Sequence, residues 1–284
     1  MYGGFTTVST ISRGPCAPDE RHERGGAHPE TVICLACWAR MHRDYRNLTR
    51  LQAAKATGIS THYVKGIENN GLIPRPDYLE SLITGYRMDA AQARLTWDLW
   101  RPPARLPPVQ ELRQRISTPH RRELLTRLDS AGVAIAYLDP LWNILTANNT
   151  FFRVLPGAGV STDGNLALWS LPPRPQPSPA KPLLAHPGRD AQWLVGVLRG
   201  GFGRYRTSPE VHHLHRQLSR NDAFNHHWRT SLHVAYGRDL QEPLHLHSPA
   251  THRPYTLDLQ VTEIADVPEV HGFVAWPPPT PGHR

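Results

Sequence analysis

The run LTRLQAAKATGISTHYVKGIENNG, Leu48 to Gly71, decides how the first third of the chain folds. Thr49 and Gln52 have the T-x-x-Q spacing of a capping box, which starts a helix by satisfying two of its orphan N–H groups. Ala53, Ala54 and Thr57 give that helix a face of small residues. Gly58 can take the left-handed conformation that ends it, and Ser60 can cap the next one. In the second helix Val64 and Ile67 face one way. Thr61, His62, Lys65 and Asn69 lie mostly on other faces, toward solvent or a partner. Two short helices joined by a tight glycine-containing turn make a helix-turn-helix unit. The first helix must be small-faced so that the second can cross it closely. The second can then present its N-terminal polar residues to the major groove of DNA.

The flanks extend the helical run. LACWARMHRDYRN puts Leu35, Trp38, Met41 (or His42) and Tyr45 at helical spacing. PRPDYLESLITGYRM restarts a helix with Asp77 as its expected cap, and DAAQARLTWDLW adds another capped by Asp89. Ala54, Gly58-Ile59-Ser60, Val64 and Ile67-Glu68 stand where the Cro/repressor-type (XRE) helix-turn-helix family has its own pattern. Residues 36–98 resemble that family. The resemblance implies that Arg50 and Gln52 approach the DNA backbone and that Ser60, Thr61, His62 and Lys65 face the groove, with Asn69 on the same side. Thr61 and His62 would read base edges, and Lys65 a guanine or a phosphate. Tyr63 would pack or reach phosphate, and Glu68 would be a structural hydrogen-bond partner. The competing reading is a plain helical bundle with a solvated polar face.

The bulk numbers agree with a nucleic-acid partner. The 284-residue chain carries a formal net charge of +8, which favours a polyanion, nucleic acid first and an anionic membrane second. The 28 prolines cluster around 102–108, 172–187 and 277–281, as linkers and irregular segments do. The expected organisation is a polar arm over 1–34, a DNA-binding domain over 35–100, a Pro/Arg-rich linker over 101–119, a second domain over 120–277 and a tail over 278–284. No run approaches the ~20 apolar residues of a membrane span, and the N-terminus lacks the apolar core of a signal peptide. A cytoplasmic, nucleoid-associated protein is expected, with no membrane partner. The three cysteines all precede residue 38, an odd number that fits a reducing compartment. Cys34-x2-Cys37 has zinc-knuckle spacing, and Cys16 with His22 (or His28) would complete four ligands of a structural zinc site. The alternatives are reduced thiols on a flexible arm, or a redox sensor whose thiols are made acidic by Arg40, His42 and Arg43.

From residue 120 the grammar changes. RRELLTRLDSAG reads as a helix, and VAIAYLDPLWNILTANNTFF as two β-runs hinged at Asp139-Pro140, with Asn148 or Asn149 capping a helix behind them. Three helices follow, then three strands. Tyr255, Leu257, Leu259 and Val261 alternate with polar residues, so one face of that strand is buried. The fold class is therefore α+β in two domains, an all-α unit and then an antiparallel sheet with helices packed on one face. LDPLWNILTANNTFF, LVGVLRGGFGRY through FNHHWRTSLHV, and HSPATHRPYTLDLQVTEI resemble the ligand-binding domain of MmyB-like transcription regulators, a PAS-like fold. The resemblance implies a site for a small apolar, fatty-acid-like molecule. Trp142, Phe151, Phe152, Trp169, Leu198, Phe224 and Trp228 are its candidate lining, against the plainer reading of each as core.

The histidine groups at 212–215, 226–227 and 245–247 lack the accompanying carboxylate and cysteine pattern of a metal or catalytic site. No G-x-S-x-G, P-loop, G-x-G-x-x-G or H-E-x-x-H motif is present. The chain therefore reads as a sequence-specific DNA-binding regulator, not an enzyme, acting as a homodimer on double-stranded DNA and sensing a small apolar ligand. The alternative is a DNA-binding regulator controlled by a protein partner through a ligand-free docking domain.

Overall fold

The computed structural model describes residues 32–159, 164–249 and 251–276. Five helices come first: α1 (Leu35–Tyr45), α2 (Arg50–Thr57), α3 (Thr61–Asn70), α4 (Pro76–Gly85) and α5 (Ala90–Trp100). Local chemistry sets their ends. Thr49–Gln52 and Asp89–Gln92 each form a full capping box, and Gly58 closes α2 at φ +70°. Helix α4 corrects the expected cap. Its N-cap is Arg75, with no side-chain hydrogen bond, because Pro76 at N1 already fixes φ and has no N–H to satisfy. Asp77 instead lies in the first turn, paired to Arg75 at 2.8 Å. Ala39, Ala53, Ile59, Val64, Ile67, Leu82 and Tyr86 form the small core of this bundle. At Gly85 an added Cβ would stand 2.6 Å from the Ala56 carbonyl oxygen, so α4 reaches the end of α2 backbone to backbone.

The segment expected to be a linker contains a helix, α6 (Val109–Ile116), whose N-cap is Pro108. Then come α7 (Pro119–Ser130), β1 (Ala134–Leu138), β2 (Ile144–Ala147), α8 (Asn149–Val154) and a short α9 (Leu166–Ser170) inside the Pro/Gly-rich stretch. Next are α10 (Pro187–Arg204), α11 (Pro209–Leu218), α12 (Asp222–Thr230), β3 (Leu244–His247), β4 (Pro254–Ile264) and β5 (Val267–Trp276). The strands form one antiparallel sheet in the order β2-β1-β5-β4-β3.

Helices cover both faces of this sheet, not one. Ala134, Ala136, Leu138, Leu257, Leu259, Val261 and Phe273 face the large core built with α8 and α10 to α12. Ile135, Tyr137, Leu145, Val267 and Val270 face a second cluster with Leu112 and Ile116 of α6 and with α7. Strand β1 is buried at every position, as a continuous apolar run requires when both sides are packed. The large core also crosses into the helical domain, because Val32, Ile33, Trp38, Leu95 and Leu99 belong to it.

Candidate nucleic-acid interface and sensor core

Helix α3 exposes one polar face. The Ser60 hydroxyl accepts from the Tyr63 N–H at 3.2 Å and so fixes the start of the helix. Thr61, His62 and Lys65 are exposed, while Val64 and Ile67 are buried beneath them. Tyr63 is half-buried against Tyr78, ring centroids 4.7 Å apart. Gln52 is exposed, and its side-chain oxygen accepts from the Thr49 N–H at 2.8 Å.

Behind this face lies a charged network that the spacing of the sequence did not reveal. Glu68 is only 3 % exposed. It accepts from Arg43 at 2.6 and 3.2 Å and from Arg50 at 2.9 Å. Asn69 accepts from Arg40 at 3.0 Å and from Arg50 at 3.2 Å, and Arg40 also donates to the Glu68 carbonyl at 2.8 Å. Burial works against the Arg43 cation, but its hydrogen bonds to Glu68 and the Glu68 charge outweigh that and raise its pKa. Arg50 and Asn69 thus sit at the edge of the face, tied inward. The sequence signal for Arg40 and Arg43 was weak: two arginines three apart on α1, opposite an acidic residue 25 positions away from Arg43.

Six of the seven apolar candidates, all but Phe152, belong to the large core, where they make several separate contacts. Phe224 and Trp228 stack at 5.3 Å on α12, within reach of Phe202 and His215. Phe151 touches Phe273 of the sheet, ring centroids 5.2 Å apart. Trp142 lies edge-on to Trp193 in the β1–β2 turn, and the Trp169 indole donates to the Pro156 carbonyl at 3.1 Å. Leu198 is fully buried on α10, whereas Phe152 is 38 % exposed at the rim.

Residues 35–95 match the family model of a helix-turn-helix domain, and residues 118–282 match that of the MmyB-like transcription regulator ligand binding domain. The second match spans more than half of the chain. The chain belongs to the MmyB-like transcription regulators. It is a DNA-binding transcription regulator with a ligand-binding domain. No curated protein matches it.

In this MmyB-like regulator the two halves meet along α1, α5 and α10. Trp38 is fully buried and its indole donates to Thr96 at 2.9 Å. Its ring lies edge-on to His42 at 4.3 Å. Arg199 of α10 also approaches this ring, its guanidinium 6.0 Å from Trp38 and 5.0 Å from Trp228. Arg199 is fully buried and has no carboxylate among its described partners; it donates to the carbonyls of His227, Trp228 and His233. Two of these are last-turn carbonyls of α12, where the helix dipole favours a cation. Burial still lowers its pKa to about 9. An arginine inside the apolar run WLVGVLRGGF was the available clue. At the surface of the joint Arg94 of α5 pairs with Glu263 at 2.5 Å and stacks over Tyr236, whose hydroxyl donates to Asp98 at 3.1 Å.

Burial also holds buried imidazoles neutral. The pKa of His42 falls to about 3 through burial and the nearby Arg46 and Arg199, and those of His215 and His271 fall to about 4. Asp139 is pushed up to about 6 by burial, against three N–H donors from Leu141 and Asn143. Of the expected zinc ligands, Cys16 and His22 lie outside the described residues. Among the described residues no group of three or more His, Cys, Asp or Glu side chains is placed to hold a metal ion, and no helix is long and apolar enough to cross a membrane.

Proposed function

We propose that the regulator reads its operator with α3. Thr61 and His62 would contact base edges, Lys65 a guanine or phosphate, and Ser60, Tyr63, Arg50, Gln52 and Asn69 would seat the helix on the backbone. The observation that carries this is the exposed Thr61–His62–Lys65 face above a buried Glu68 whose arginine partners hold the helix in place. Two copies on a pseudopalindrome would match the symmetry such helices use. Duplexes selected from random sequence, followed by anisotropy titrations at fixed salt, test it. The change Thr61→Ala/His62→Ala should lower the preference for the selected site over random DNA by 10-fold or more, at about 1–3 kcal/mol per lost base contact. Arg50→Ala should weaken all duplexes alike. Equal losses on every duplex for both variants would refute the assigned roles.

The PAS-like sheet domain would sense a small apolar, fatty-acid-like molecule and pass its state to α5 through α10. Phe151 packs against Phe152 and Phe273, and Phe224 against Trp228, so a ligand entering between either set must part its rings. That close packing also favours the second reading, in which a protein partner docks on the sheet domain and no small molecule enters. Native mass spectrometry of the purified chain separates the two: a retained lipid supports the sensor, and bare protein that binds DNA normally supports the docking module.

A further inference from the structure

Cys34 and Cys37 belong to neither the DNA face nor the sensor core. Cys34 is the N-cap of α1, with extended backbone at φ −130° and ψ 162°. That conformation turns its side chain back over the first helical turn, where Sγ accepts from the Cys37 N–H at 3.3 Å. Cys37 stands three residues on, and the two sulfur atoms are 2.8 Å apart. Two thiolates on a tetrahedral zinc ion, with Zn–S bonds of about 2.3 Å, would stand about 3.8 Å apart. A disulfide needs about 2.0 Å. The observed separation is nearer the second, and closing it needs about 0.8 Å of movement within one helical turn.

We propose that Cys34 and Cys37 are a redox modification site that closes reversibly to an intramolecular disulfide. The oxidant class is a low-molecular-weight disulfide. One cysteine sulfur attacks it and expels the first small thiol; the other cysteine then attacks the mixed disulfide and expels the second. One S–S bond forms in the protein, one breaks in the oxidant, and two electrons and two protons pass to the released thiols.

The surroundings give the bond something to act on. Val32 and Ile33, just before Cys34, are buried in the core shared by the two domains. Cys37 is followed directly by Trp38, the indole held by Thr96 and faced by Arg199. Cys34 lies within electrostatic reach of Arg206, which donates to the carbonyls of Asp98 and Gly203 across the same joint. Closing the bond re-aims the N-cap between these two buried segments.

The test uses the full chain, reduced, then exposed to excess glutathione disulfide, trapped with N-ethylmaleimide and mapped by mass spectrometry. A Cys34–Cys37 bridge should form, with loss of two alkylatable thiols that dithiothreitol restores, and Cys16→Ser should behave the same way. Cys34→Ser keeps an N-cap acceptor and so the fold, and its Cys37 should form no internal bridge. Three alkylatable thiols at full oxidant, a bridge from Cys16 to either residue in place of the pair, or one zinc per purified chain that shields both thiols would overturn the assignment.

Discussion

Removing the Glu68 carboxylate is the most direct trial of how α3 is held. Glu68→Ala deletes three charge-assisted acceptor contacts, to Arg43 at 2.6 and 3.2 Å and to Arg50 at 2.9 Å. The two cations respond differently. The Arg50 side chain is 36 % exposed and can rehydrate, so its share is that of a surface pair, about 0.2–1 kcal/mol. The Arg43 side chain is only 12 % exposed and is left largely buried. Stripping a partner from such an ion costs about 3–5 kcal/mol in general. Arg43 keeps Asp44 at 2.6 Å and the Leu48 carbonyl at 3.1 Å, which places the total near the lower end, about 3 kcal/mol. The shared core makes the domains unfold together, so at about 2–4 °C per kcal/mol the expected fall in Tm is about 6–12 °C. Urea unfolding followed by far-ultraviolet circular dichroism and tryptophan fluorescence gives the free energy directly. Replacing both partners, Glu68→Leu with Arg43→Met, should recover most of the loss because no stranded cation remains. A Glu68→Ala midpoint within about 0.5 kcal/mol of the parent, inside the range of ordinary surface changes, would refute the network as the anchor of α3.

Gly85→Ala should destabilise the helical domain by about 1–3 kcal/mol, because its Cβ would meet the Ala56 carbonyl at 2.6 Å and the Thr57 Cα at 2.7 Å, backbone atoms that cannot swing aside. The gain in helix propensity, about 1 kcal/mol at most, does not offset it, and a variant as stable as the parent in urea would show that the contact relaxes. Acid should unfold the protein early. His42, His215 and His271 have folded pKa values near 3, 4 and 4, below the ordinary 6.5, so the unfolded chain binds more protons between pH 6.5 and about 4. Stability is then complete above pH 6.5 and is lost on acidification, by up to about 4 kcal/mol per pH unit for three protons. Asp139, raised to about 6, acts in the opposite sense below that pH and offsets one proton, about 1.4 kcal/mol per pH unit. Urea midpoints that stay flat from pH 7 to pH 5 would count against neutral buried imidazoles.

What the sequence disclosed was local. Thr49–Gln52, Ser60, Asp89 and Asn148 announce helix starts through bonds made within three residues, and each makes that bond. The alternation in β4 likewise declares one buried face. Longer-range consequences were hidden. AIAYL in β1 has no polar alternation, which was the sign that helices cover both sides of the sheet, but the covering helix α6 begins at Pro108 inside a stretch whose prolines read as linker. Among the apolar candidates, being aromatic at helical spacing did not distinguish a pocket wall from core, since both put the same side chains inside. Arg40, Arg43 and Arg199 looked like unremarkable members of an Arg-rich composition, because their partners come from other elements.

The buried polar groups have a direction in common. Glu68 fastens α3 to α1 through Arg43, and Trp38, five residues earlier on α1, fastens that helix to α5 through Thr96. Arg199 faces Trp38 from α10 and ties α10 to the end of α12. A shift of α10 in the sheet domain therefore meets no soft loop before it reaches α3; it meets a fully buried tryptophan and then an ion pair with little exposure. A ligand that moves α10 must either carry α3 with it or break one of those contacts. Arg94–Glu263, exposed at the rim of the same joint and easily rehydrated, is the contact most readily broken first.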